Sequence, residues 1–251
     1  MTEMTMARAR LHDRLLAGGR RGRWLLLGTA LAQLASPAFV PFDLTGDDTV
    51  LVPPGPFFAI WGPITVGCLA AAVRGLPLHR ATSAPWREVQ LPLSVAQVGY
   101  VAWLVAAAAA PRLTLPVFLG MLAALAPALA AVVRTPGDPL TRLLLGGSVG
   151  LYAGWTSAAV WLNAGVLVPD AGPLLLAALL VGAAATGLAG ARLSRGQAGY
   201  VLAVGWALLG VLLSTARAGE PALAGLAATG LAALAAVAAT ARQRPHAVAA
   251  G

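Results

Sequence analysis

Residues 151 to 163 read Leu151-Tyr-Ala-Gly-Trp155-Thr-Ser-Ala-Ala-Val-Trp-Leu-Asn163. At about 100° per residue of helix, Tyr152, Trp155, Thr156, Ala159 and Asn163 share one face and Trp161 takes the opposite one. Flat rings beside a hydroxyl and an amide suit recognition of a planar, mostly apolar molecule: the rings stack and the few polar groups orient. A second segment runs Pro53-Pro-Gly-Pro-Phe57-Phe-Ala-Ile-Trp61. Continued as a helix, it aligns Phe57, Trp61, Ile64 and Cys68. A third carries Ser94, Gln97, Tyr100 and Trp103, an i, i+3 series that winds slowly around a helix. Two readings stay open for Asn163 and Gln97, ligand orientation or a hydrogen bond to a neighbouring helix. Trp24, Trp86 and Tyr200 read as anchors at a membrane surface. Trp155 fits that role less well, because it lies mid-segment among polar neighbours.

Catalytic groups are scarce. No Asp, Glu, Lys or Arg falls near the middle of an apolar stretch, where ion- and proton-coupled carriers usually hold one. His12, His79 and His246 fall in loops or tails, and Cys68 is the one cysteine. That leaves no metal-ligand set, no phosphate-binding loop and no nucleophile–base pair. Cys68 reads as a small buried hydrophobe rather than a nucleophile, since nothing basic stands near it. No cofactor is required.

The elements that must position these residues follow from composition. The chain is 59% hydrophobic and 10% charged over 251 residues, with mean hydropathy +0.79. A soluble domain carries about 25% charged residues. About 20 apolar residues cross a bilayer as a helix, and eight such stretches occur: Trp24–Phe42, Phe57–Val73, Leu91–Ala110, Leu113–Val133, Arg142–Leu167, Gly172–Gly190, Ala198–Ala216 and Glu220–Thr240. They are long, rich in Ala and Leu, and lack the alternation of a barrel strand. The expected fold class is all-α, a polytopic integral membrane bundle of about eight helices.

The net charge is +8, and all 17 basic residues are arginines. They are spread between apolar stretches rather than gathered on one face, which argues against nucleic acid. With alternating loops, all but Arg112 and Arg217 fall on one side, while Asp43, Asp47, Asp48, Asp170 and Glu220 fall on the other. The positive-inside rule then predicts cytoplasmic termini in a plasma-membrane protein. Arg20-Arg21 before an apolar run is like a twin-arginine signal. The run is about 19 residues, longer than the usual core of about 7–15, so a retained anchor is expected.

The Pro53-Pro54-Gly55 loop followed by Phe57-x-x-x-Trp61, and Tyr152-x-x-Trp155-x-x-x-Ala159-x-x-x-Asn163 on the fifth span, resemble the TspO/MBR family of tryptophan-rich sensory or translocator proteins. Thr65 stands where the family usually has Tyr, and the third-span pattern is partly kept, with Tyr100 where an Asn would align on Trp103. The resemblance covers residues 24–167 and implies a five-helix bundle whose pocket takes flat hydrophobic ligands, porphyrins among them. It places ligand contacts at Phe57, Trp61, Gln97, Tyr100, Trp103, Tyr152, Trp155, Thr156, Ala159 and Asn163. Trp61 and Trp155 are then the flat walls, and residues 42–56 a lid. The division expected is a basic segment 1–23, the five-helix unit 24–167, three added helices 168–241 and a tail 242–251. The small-residue faces of the added helices suit either wrapping the bundle or a homo-oligomer. The partners expected are an apolar small molecule and the bilayer, with a porphyrin or haem-type tetrapyrrole as ligand rather than cofactor. Photo-oxidative porphyrin degradation is a chemistry the resemblance allows. A facilitative transporter and a ligand-free structural protein are the alternatives.

Overall fold

The structure, a computed structural model, describes residues 3–40, 49–168 and 170–242, with side chains from Gly19 to Ala241 within these ranges. Asp43, Asp47, Asp48 and His246 lie outside what it describes, as do the His12 side chain and residues 42–48 of the expected lid. The described residues form helices and turns. In chain order these are α1 (Glu3–Ala35), α2 (Trp61–Arg74), the short α3 (Leu78–Ala81), α4 (Trp86–Ala109), α5 (Thr114–Arg134), the short α6 (Pro139–Thr141), α7 (Gly147–Val166), α8 (Pro173–Leu193), α9 (Ala198–Arg217) and α10 (Pro221–Arg242).

The chain is an all-helical membrane bundle. Seven segments among the described residues are long and apolar enough to cross a bilayer: Gly55–Arg74, Trp86–Ala109, Pro111–Arg134, Pro139–Val166, Pro173–Leu193, Ala198–Arg217 and Pro221–Ala241. The remaining expected span, Trp24–Phe42, is not among these seven; its described helical part is the second half of α1. Its helix runs unbroken from the basic segment and ends at Ala35, followed by a 3-10 turn at Ser36–Ala38.

Burial identifies the centre. In the most apolar stretch of Pro139–Val166, 78% of residues lie inside the bundle, against 22% for Pro173–Leu193. Helix α7 packs on α2, α5, α8 and α9, so almost every face of it is covered. Helix α9 lies along α7, α8 packs on α7, and α10 closes over α8 and α9. The three C-terminal helices thus share a core with the rest. The turn entering α7 is a π-helix, Arg142–Gly146, which loosens the carbonyl ladder. Gln197 meets it from α9: its Nε2 donates to the Gly146 carbonyl at 2.7 Å while its Oε1 caps the Tyr200 amide at 2.6 Å.

The arginines gather at one end. Arg23 donates to the Leu76 carbonyl at 2.6 Å, Arg74 pairs with Asp138 at 2.8 Å, and Arg134 pairs with Glu88 at 3.0 Å. These contacts join the α2, α4, α5 and α6 termini on the side expected to be basic. Two expected anchors are corrected. Trp86 is buried beneath Gly75, and Tyr200 is buried in the α7–α9 seam with its hydroxyl 3.0 Å from Ser157 Oγ. Both are core residues, because the helices that carry them are flanked on those faces. Trp24 stays 57% exposed beside Arg23.

Candidate functional site

The site builds outward from Trp61, the first residue of α2. Its ring stacks on Trp103 of α4, with centroids 5.5 Å apart and planes at 29°. It also meets Tyr100 at 4.6 Å, Tyr152 at 5.6 Å and Trp155 at 6.3 Å. Phe58 closes one side, edge-on to Trp155 at 5.7 Å, and Phe118 of α5 closes another, edge-on to Trp103 at 5.4 Å. Six of the expected residues therefore converge or adjoin: Trp61, Tyr100, Trp103, Tyr152, Trp155 and, beside Trp155, the buried Thr156.

Phe57 departs from expectation. The residues before Trp61 form a 3-10 turn, Gly55–Ile60, rather than α-helix. In such a turn side chains at i and i+3 eclipse, so Phe58 aligns with Trp61. Phe57 turns instead to Trp206 of α9, with centroids at 4.5 Å. The single face expected for Phe57, Trp61, Ile64 and Cys68 thus holds only for the last three, which are all buried. The proline run was the available signal. Trp61 and Trp155, the expected flat walls, meet at 82°, edge to face. The parallel partner of Trp61 is Trp103.

The amides answer the open question differently. Asn163 Nδ2 donates to the Ala159 carbonyl at 2.8 Å within its own helix, so both residues lie one and two turns beyond Trp155. Gln97 Oε1 accepts from Thr29 Oγ1 of α1 at 2.6 Å, which is a helix-pairing bond. Nothing in the sequence pattern singles out Thr29, or Gln33 one turn further along α1. Trp161 faces away, as expected, and donates to Thr186 of α8 at 3.0 Å.

Several buried polar atoms have no partner: Trp61 Nε1, Ser94 Oγ, Gln97 Nε2, Thr156 Oγ1 and both amide atoms of Gln33. The Trp61, Thr156 and Gln97 atoms belong to or flank the ring cluster. These three groups are neutral. Among the described residues no group of three or more His, Cys, Asp or Glu could hold a metal. The rings pack on one another. A cavity of about 10 Å³ lies instead between α7, α8 and α9, lined by Leu51, Trp161, Leu180, Ala183 and Ala207. It is apolar and about the size that holds one water.

Comparison with curated proteins and with solved structures gives no match. A family model described as TSPO-like protein matches residues 44–241. The match begins after α1 and runs through α8, α9 and α10, across the division expected at residue 167. Two motifs, a converging aromatic cluster and a match over most of the chain agree: this chain belongs to the TSPO-like protein family.

Proposed function

We propose that the chain binds a flat hydrophobic ligand, of the porphyrin class, among α2, α4 and α7, and serves as a sensory or ligand-binding membrane protein. The carrying observation is the set of unpartnered Trp61 Nε1, Gln97 Nε2 and Thr156 Oγ1 around stacked rings. A buried polar group without a partner costs about 1–3 kcal/mol, and a planar ligand offering acceptors would offset that cost. Family membership supports the same reading. The rings are close-packed, so binding requires them to part, and the ligand selects an open state. Because the unpartnered groups are neutral, recognition falls on the ring system rather than on carboxylates. The positive-inside rule supports a plasma-membrane orientation with the arginine end, and both termini, in the cytoplasm.

Thermal unfolding tests the proposal. Protoporphyrin IX should raise the melting temperature of the native protein with the logarithmic concentration dependence of linkage. The Trp155→Leu variant should need tenfold or more porphyrin for the same rise. An equal shift in both would mean the porphyrin acts on the micelle, and the site would be withdrawn.

A further inference from the structure

The C-terminal helices reach the ring cluster through one clasp. Trp206, midway along α9, donates from Nε1 to the Phe57 carbonyl at 2.7 Å. Its ring also lies on the Phe57 ring, with centroids 4.5 Å apart and planes at 38°. One turn on, Gly210 makes room for the same segment: a Cβ there would stand 2.6 Å from Pro53 Cβ and 2.9 Å from the Phe57 ring. The clasped residue belongs to the Gly55–Ile60 turn, whose neighbours Phe58 and Trp61 are cluster rings. Trp61 Nε1 has no partner of its own. Its orientation therefore depends on ring contacts and on the backbone that the turn presents. Trp206 is itself 39% exposed, so its place on α9 is not explained by burial of its own surface.

We propose that Trp206 is a positioning residue for the ligand site: it fixes the Gly55–Ile60 turn, and through the turn it sets where Phe58 and Trp61 stand against Trp155. The proposal rests on the ligand-binding reading above. It also gives the C-terminal helices a role at the site that the five-helix resemblance does not contain.

The test uses the full chain in detergent, with protoporphyrin IX as probe. Trp206→Phe keeps a ring on Phe57 and removes the donor. Porphyrin affinity should fall by about fivefold, the equivalent of one neutral hydrogen bond. Gly210→Ala keeps all seven tryptophans and pushes on the turn from a second point. It should weaken affinity in the same direction and change the near-ultraviolet circular dichroism of the tryptophans. Trp161→Phe removes a comparable indole bond, from α7 to Thr186 of α8, and should leave porphyrin affinity unchanged. Melting should move no more in Trp206→Phe than in Trp161→Phe. Equal loss of affinity in those two variants would reduce Trp206 to general helix packing and overturn the proposal. So would unchanged affinity in Trp206→Phe and Gly210→Ala together with an unchanged Gly210→Ala spectrum. A native protein without saturable binding would sink the ligand reading instead, and the Gly210→Ala spectrum would then decide the positioning role alone.

Discussion

The Tyr152 hydroxyl donates to the Ala96 carbonyl at 2.6 Å, which ties α7 to α4 beside the Trp61 ring. Both residues are fully buried, so water does not replace the bond when it is lost. Tyr152→Phe should therefore cost about 1 kcal/mol of stability while leaving the ring contact with Trp61 in place. Reversible unfolding of the detergent-solubilised protein measures it, and an unchanged stability would mean the bond contributes nothing to the α4–α7 contact.

Close approach of α7 and α9 rests on Gly154. A Cβ there would stand 2.5 Å from the Tyr200 carbonyl oxygen and 2.9 Å from Ala203 Cβ. A carbonyl cannot swing aside as a side chain can, so Gly154→Ala must separate the helices. Such overpacking costs about 1–3 kcal/mol. Gly225, exposed on α10 with open space around it, supplies the contrast: Gly225→Ala should be neutral or stabilising by about 0.4–1 kcal/mol. Melting temperatures of the two variants should move in opposite directions or differ clearly in size.

Acid sensitivity should arise at the basic end. Asp138 caps α6, accepting from the Leu140 and Thr141 amides and the Thr141 hydroxyl, and it pairs with Arg74. The Thr141 hydroxyl and amide, then the Arg74 guanidinium, hold its carboxyl well below the usual carboxylate range. A depressed folded value stabilises above the unfolded value, about 3.9 for Asp, and that contribution is lost as pH falls below it. Asp138→Asn should flatten the stability profile on the acid side of pH 4 and leave its shape near pH 7 unchanged.

Topology can be read by labelling. Cys68 is fully buried, so it stays silent toward a membrane-impermeant maleimide. Exposed positions at the two ends, Arg20 and Glu220, make the comparison. Glu220→Cys should label on intact cells, and Arg20→Cys only after permeabilisation. The reverse pattern would invert the orientation.

The helices were legible because apolar length and charge placement are read without tertiary contacts, and the fifth-span residues because a 3.6-residue period places Tyr152 and Trp155 together. What tertiary packing decides was not. Phe57 and Phe58 are adjacent, and only the 3-10 turn after the proline run decides which one meets Trp155. Trp86 and Tyr200 looked like surface anchors because amphipathic side chains near span ends fit either place, and only α2 and α7 passing over them bury them. Thr29 and Gln33 became visible only once α1 lay against α4.

The central claim is that the Trp61–Trp155 cluster takes a planar ligand. The most direct measurement is a porphyrin titration read from the porphyrin's own visible absorption, on the native protein beside Trp61→Leu and Trp155→Leu variants shown to be folded. The account predicts a saturable spectral shift in the native protein that both substitutions weaken by tenfold or more, about 1.4 kcal/mol each. A shift that does not saturate, or that persists unchanged in both variants, would contradict it.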